Sequence, residues 1–164
     1  EISECLVGSE MCIRDSYQRG AKMKDLDSLV FDCFRICNAL EIPFSDNISI
    51  VWNGRITKKW GYCRKIRDAY QISIATRLSE DAVPDEKTKS VILHEILHTC
   101  PGCMNHGKLW KHYCKEIKAV FGIKIKTTIF MEKEMWRDKN VSSEQNFRTG
   151  TGIYKNLSGK YRAA

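Results

Sequence analysis

The chain has 164 residues, enough for one domain of ordinary size with a real core. Its 43% apolar and 29% charged residues exclude disorder along the whole length, and no run approaches the roughly 18 apolar residues of a membrane span. Lysine and arginine outnumber acidic residues 27 to 20, and the net charge of +7 favours anionic partners without specifying one.

The first segment is set apart. Val7-Gly8-Ser9-Glu10-Met11-Cys12-Ile13-Arg14-Asp15-Ser16 resembles translated sequencing-adapter read-through, so residues 1–19 are expected to be a non-native leader. They carry Glu1, Glu4, Glu10 and Asp15 against Arg14 and Arg19; without them the net charge rises from +7 to +9. A domain is expected over residues 20–130, followed by a polar, loosely ordered tail over 131–164.

Within that domain, Leu26, Val30, Phe34 and Cys37, with Leu29, Cys33 and Leu40 beside them, recur at three and four. That spacing predicts a helix from Met23 to Leu40, ended by Pro43. Three strands follow, over Ile48–Trp52, Gly61–Ile66 and Tyr70–Thr76, the last two joined by a turn near Arg67-Asp68. In the third, Tyr70, Ile72 and Ile74 alternate with Gln71, Ser73 and Ala75, one face for packing and one for water. Pro84-Asp85-Glu86 opens a second helix, with Asp85 as a candidate cap, running to Thr99 before Pro101-Gly102. A third helix begins near His106-Gly107, with Leu109, Tyr113, Ile117 and Val120 on its inner face, and Gly122 ends it. Ile123–Phe130 is a candidate strand. Short strands between helices give an α+β class.

The chemistry concentrates in His94-Glu95-Ile96-Leu97-His98. Histidines four apart on a helix project from one face, so two ring nitrogens can reach one ion at about 2.0–2.1 Å. Glu95 sits ~100° round the helix from His94 and can reach a water on that ion. Val91, Ile92, Leu93, Ile96 and Leu97 would bury the trio, and a metal offsets that cost. A three-ligand site needs one more donor, and the candidates are His106, His112, Cys100, Cys103 and later carboxylates. The turn Thr99–Asn105 can fold the chain back over the helix end, which favours His106. Its eight-residue separation from His98 is longer than the six of metzincins. Cys100-x-x-Cys103 has no second pair at zinc-ribbon distance, so these thiols are expected to pack or shape the turn.

From Leu93 through the His94-Glu95-Ile96-Leu97-His98 helix and the Thr99–Asn105 turn to His106-Gly107-Lys108-Leu109-Trp110-Lys111, the chain resembles the SprT-like metallopeptidase family. Trp52-Asn53-Gly54-Arg55, Gly61-Tyr62-Cys63 and Ile72-Ser73-Ile74 extend the resemblance over roughly residues 24–125. It implies a zincin-like domain: a leading helix, a short antiparallel three-stranded sheet, a zinc-binding helix and a following helix. It also implies one catalytic Zn2+ on His94, His98 and His106, with Glu95 as the catalytic carboxylate, and peptide-bond hydrolysis as the activity. Related proteins of the Spartan group digest proteins crosslinked to DNA, which makes DNA or DNA-associated protein an expected partner. No cysteine follows Cys114, so the C-terminal zinc ribbon that many such proteins carry is not expected in these residues.

Lys58, Lys59, Arg64, Lys65 and Arg67 with Trp60 and Tyr62 form the candidate nucleic-acid contact, since aromatic rings stack on unpaired bases. Lys111, Lys115 and Lys118 mark one face of the third helix and read as a solvated exterior. An extended protein or peptide substrate is expected along Tyr70–Thr76. The alternatives are a non-catalytic zinc- or DNA-binding domain and a metal-dependent hydrolase of a non-peptide substrate. Cysteines at helical positions and no signal-peptide pattern give an expectation of a cytoplasmic or nucleoid-associated protein, with no membrane partner.

Overall fold

A computed structural model describes residues 23–129 and 152–155. The expected leader 1–19 and most of the expected tail 131–164 lie outside the described residues. Helix α1 spans Leu26–Ala39, and its buried stripe is Leu26, Leu29, Val30, Cys33, Ile36 and Cys37. It starts after Met23 because Asp25 caps it, accepting from the Asp27 N–H at 3.1 Å. It stops before Pro43 acts. Ile42 N–H donates to Cys37 O at 2.9 Å and Glu41 N–H to Asn38 O at 3.1 Å, with Glu41 at φ 51°. That is a Schellman closure, made with a residue that pays a steric cost glycine would avoid.

Strands β1 (Asn47–Asn53), β2 (Gly61–Ile66) and β3 (Ala69–Ala75) fall where alternation predicts them. Their arrangement corrects the antiparallel expectation. The order is β2-β3-β1-β4: β2 and β3 form an antiparallel hairpin turned at Arg67 (φ 54°), while β1 runs parallel to β3. After β1 the chain crosses to the outer edge, runs back as β2, and returns as β3 between the two. A fourth strand β4, Gly152–Lys155, pairs antiparallel with β1 and comes from the stretch expected to be loosely ordered. The expected strand over Ile123–Phe130 is absent through residue 129, where the chain is irregular; Phe130 lies outside the described residues.

Register places Ile48, Ile50 and Trp52 of β1 beside Tyr70, Ile72 and Ile74 of β3, and Cys63 and Gly61 of β2 beside Ile72 and Ile74. This is the face that the helices cover. Ser73, expected to meet water, is 3% exposed, a small side chain flanked across the sheet by Val51 and Tyr62.

Helix α2 spans Asp85–Leu97 and packs against α1, β2 and β3. Asp85 is not its cap. Pro84 holds that position, and the Asp85 carboxylate pairs with Lys24 Nζ at 2.8 Å. Lys24 Nζ also donates to Val83 O, and the Lys24 N–H to Ser79 O, so the start of the domain is tied to the entry of α2. From Val91 to Leu97 every residue of α2 is buried. Helix α3, Lys108–Phe121, ends at Gly122 in the left-handed region (φ 73°). Its inward ladder is Trp110, Tyr113, Cys114 and Ile117; Leu109 and Val120, expected inside, are 42% and 63% exposed. Leu109 sits ~100° round from Trp110, and Val120 falls in the last turn, beyond the core. Among the described residues no helix is long and apolar enough to cross a membrane.

Candidate metal centre

His94 lies in the last turn of α2 and His98 is its C-terminal cap residue, still in the right-handed region (φ −68°, ψ −15°). Past His98 the helix tightens, with Thr99 N–H donating to Ile96 O at 2.8 Å and Cys100 N–H to Leu97 O at 3.2 Å. The two imidazoles therefore stay one turn apart, their ring centroids 4.9 Å from each other.

Cys100-Pro101-Gly102-Cys103 then reverses the chain. Cys103 N–H donates to Cys100 O at 3.0 Å, and Gly102 takes φ 75°, the combination of a type II turn with proline at its second position. A side chain at Gly102 would be strained there. The reversal delivers His106, whose ring centroid is 4.8 Å from those of both His94 and His98. The ligand-capable atoms of His94, His98 and His106 all lie within 4.8 Å of one another. His112 does not join them. It is on the outside of α3, beside Glu116 at 3.5 Å.

Two backbone carbonyls orient the rings. His94 Nδ1 is 2.8 Å from Lys126 O, and His98 Nδ1 is 3.0 Å from Cys103 O. Since a carbonyl only accepts, both Nδ1 atoms carry the hydrogen, and both Nε2 atoms present lone pairs. Yet His94 Nε2 is 3.2 Å from His98 Nε2 and 3.1 Å from His106 Nε2. Between His94 and His98 neither nitrogen has a proton to offer, so the contact is unfavourable unless a cation stands between them. Three nitrogens at about 2.05 Å from a tetrahedral ion would be about 3.3–3.4 Å apart, close to the two spacings that His94 makes here. The donor set fits a divalent metal ion, and the Nδ1 contacts are the kind of support that metal-binding histidines use. Burial holds all three imidazoles below their usual pKa, His94 down to about 4, so they are neutral near pH 7 as ligands must be.

The Trp110 indole, 1% exposed, lies against all three rings, its centroid 5.0, 5.9 and 4.4 Å from His94, His98 and His106. Glu95 is 2% exposed, and burial pushes its carboxyl up to about 8, with Lys59 acting in the opposite direction. Gly61 of β2 makes that placement possible: a Cβ there would stand 3.1 Å from Glu95 Oε1 and 3.2 Å from Ser73 O. The histidines and Glu95 open onto a cleft of about 420 Å3, walled by Lys59, Gly61, Cys63, Met104, Thr127 and Ile129 among others. Trp60 N–H donates to Ile129 O at 2.9 Å, fixing the segment after α3 across one side.

The residues around the centre sort differently from their sequence expectation in one respect. Trp60 is 5% exposed, with Lys87 Nζ 4.3 Å above its ring, so its faces cannot receive a base. Cys100 and Cys103 are buried, and burial raises both thiols, which makes them poor nucleophiles. Lys111, Lys115 and Lys118 are exposed. The Cys103 and Lys126 carbonyls had no counterpart in the residue pattern; the Pro-Gly turn was the only sequence signal for the first.

No curated protein is similar enough to the chain to match it. The model of the SprT-like family matches residues 22–129, which takes in α1, the hairpin, both later helices and every residue of the centre. With that match over most of its length, the chain belongs to the SprT-like family.

Proposed function

We propose that this protein is a zinc-dependent endopeptidase that hydrolyses peptide bonds with water, the proton being handled by Glu95. The observation that carries the reading is the facing set of imidazole lone pairs beside a buried carboxyl in an open cleft. When bound to His94, His98 and His106, zinc would lower the pKa of a water towards ~7 and polarise the scissile carbonyl. Everything else falls to the chain. His94 and His98 are held by the Lys126 and Cys103 carbonyls, so their Nε2 atoms need no reorientation. Glu95 accepts the proton of the attacking water on its carboxylate and returns it to the leaving amine. Its burial gives it the raised proton affinity suited to that exchange near neutral pH.

The substrate lies along a different strand from the one its sequence suggested. β3 is flanked by β2 and β1 and has no free edge, whereas among the described residues β2 is an edge strand, and its first residues wall the cleft. An extended chain paired with β2 passes the histidines at Gly61–Cys63. Protein bound to DNA is the substrate setting that the family suggests.

The deciding experiment loads the purified chain with zinc and follows casein cleavage with and without a chelator. Cleavage that stops on chelation and returns with zinc supports the reading; zinc uptake without hydrolysis of any protein leaves only a binding domain. Gly61→Ala gives a finer test. The added methyl pushes the Glu95 carboxyl by a few tenths of an ångström, while the metal ligands stay in place. Turnover should fall about tenfold with unchanged zinc affinity, as small misplacement of a reacting group does.

A further inference from the structure

Between Asp46 and Asp68 the chain has no acidic residue, yet it carries Arg55, Lys58, Lys59, Arg64, Lys65 and Arg67, all exposed. The last three sit on β2 and its hairpin tip. Among the described residues β2 is paired on one side alone, with β3, and the cations line the edge that is left. Arg64 and Lys65 are neighbours along a strand, so they project to opposite faces. Register sets Lys65 beside Tyr70, with its Nζ 5.7 Å from that ring, on the face covered by the helices; Arg64 is beside Gln71 on the other.

We propose that β2 selects extended peptide substrates bearing acidic residues three and four positions from the scissile bond. This rests on the peptidase reading above, and names the substrate class for the same cleft. The bond being cut lies beside Gly61, which touches Glu95. Three and four residues further along a strand, about 10 and 13 Å away, stand Arg64 and Lys65. A chain paired with β2 sets its own side chains opposite these two, one on each face of the sheet, so each cation meets one substrate residue. Strand β2 itself carries no acid, and the next one in sequence, Asp68, lies in the turn that follows it. A lysine or arginine at either substrate position meets like charge, and a glutamate or aspartate is attracted. Nucleic acid is the other anionic partner that such a strip could take. It is disfavoured here because, of the two aromatics among the cations, Trp60 is buried beneath Lys87, and Tyr62 is half-buried in the cleft wall, which leaves no exposed pair of rings for successive bases.

The test uses the zinc-loaded full chain carrying Glu95→Gln, which removes turnover, and fluorescein-labelled ten-residue peptides of one neutral sequence. Glu-Glu, Gln-Gln or Lys-Lys occupies the third and fourth positions from the central bond, on either side in separate peptides. Anisotropy should show the Glu-Glu peptide on one side binding about threefold to tenfold more tightly than its Gln-Gln counterpart, with the gain lost at high salt. R64E/K65E should reverse the order and favour Lys-Lys, and R64Q/K65Q should abolish the preference while leaving Gln-Gln binding as before. Affinity independent of the pair, or a preference untouched by R64E/K65E, overturns the proposal. So does a charge reversal that leaves all peptides alike but releases a labelled single-stranded oligonucleotide. Cleavage of the neutral peptide by the unsubstituted chain is scored separately, so loss of the acidic preference and failure of the peptidase reading are told apart.

Discussion

Glu95→Gln should leave zinc stoichiometry unchanged and reduce protein cleavage by about 10²–10⁴-fold, the usual contribution of a positioned general base. The amide is nearly isosteric with the carboxyl, so it fits the space that Gly61 leaves and does not disturb His94 beside it. What it lacks is a place for the proton. Burial raises the proton affinity of the Glu95 carboxylate, which can take up the proton of the water, and glutamine offers no such site. The change also relieves the cost of a buried ionisable group, so thermal stability should stay the same or rise. Metal content by atomic absorption, a melting curve and a casein assay on the same preparation check all three parts. Turnover within a few-fold of the unsubstituted chain would remove Glu95 from the reaction.

The second large effect is on stability. Three neutral imidazoles crowded together, two of them with facing lone pairs and no proton to share between them, destabilise the fold until a cation relieves them. A ligand present at ~1,000 times its dissociation constant stabilises the native state by about 4 kcal/mol. For a chain of this size that corresponds to a fall of roughly 10–15 °C in Tm on chelation. His106→Ala should lose most of this increment and melt at nearly the same temperature with or without chelator. It should nevertheless still fold, because His106 sits in the connection before α3 and its ring is not part of the apolar core. His94→Ala is expected to be harsher, since it also empties a buried position in α2 and leaves the Lys126 carbonyl without its donor. Calorimetry in zinc and in chelator checks both variants; an unsubstituted chain indifferent to chelation would show that the triangle of nitrogens holds no ion.

Much of this centre is legible in the residue order, and the reasons are local. A helix fixes the angle between positions four apart, so His94 and His98 share a face whatever surrounds them. Pro101-Gly102 announces a reversal, and a reversal of that length returns the next histidine to the helix end. Period-two alternation marks β1, β2 and β3 to within a residue. What alternation does not encode is who pairs with whom. A strand looks the same beside a parallel or an antiparallel neighbour, so the crossing of the 54–60 loop and the insertion of β3 could not be read, and with them went the identity of the edge strand. The polar composition of the final segment likewise hid β4, which among the described residues pairs with β1 alone, and such an outer strand needs little apolar character. Backbone carbonyls are the extreme case. Every residue has one, so nothing about Lys126 or Cys103 distinguishes them until the fold places them on a ring nitrogen.

The Lys126 carbonyl also has a bearing on how the protein is made. His94 waits for a partner 32 residues downstream, and the far wall of its cleft, through Ile129, arrives later still. During vectorial synthesis the N-terminal helix and hairpin can form early, while the histidine face of α2 stays without its support. The proposed metal centre therefore gains the carbonyl that orients His94 only after Lys126 has been added to the chain.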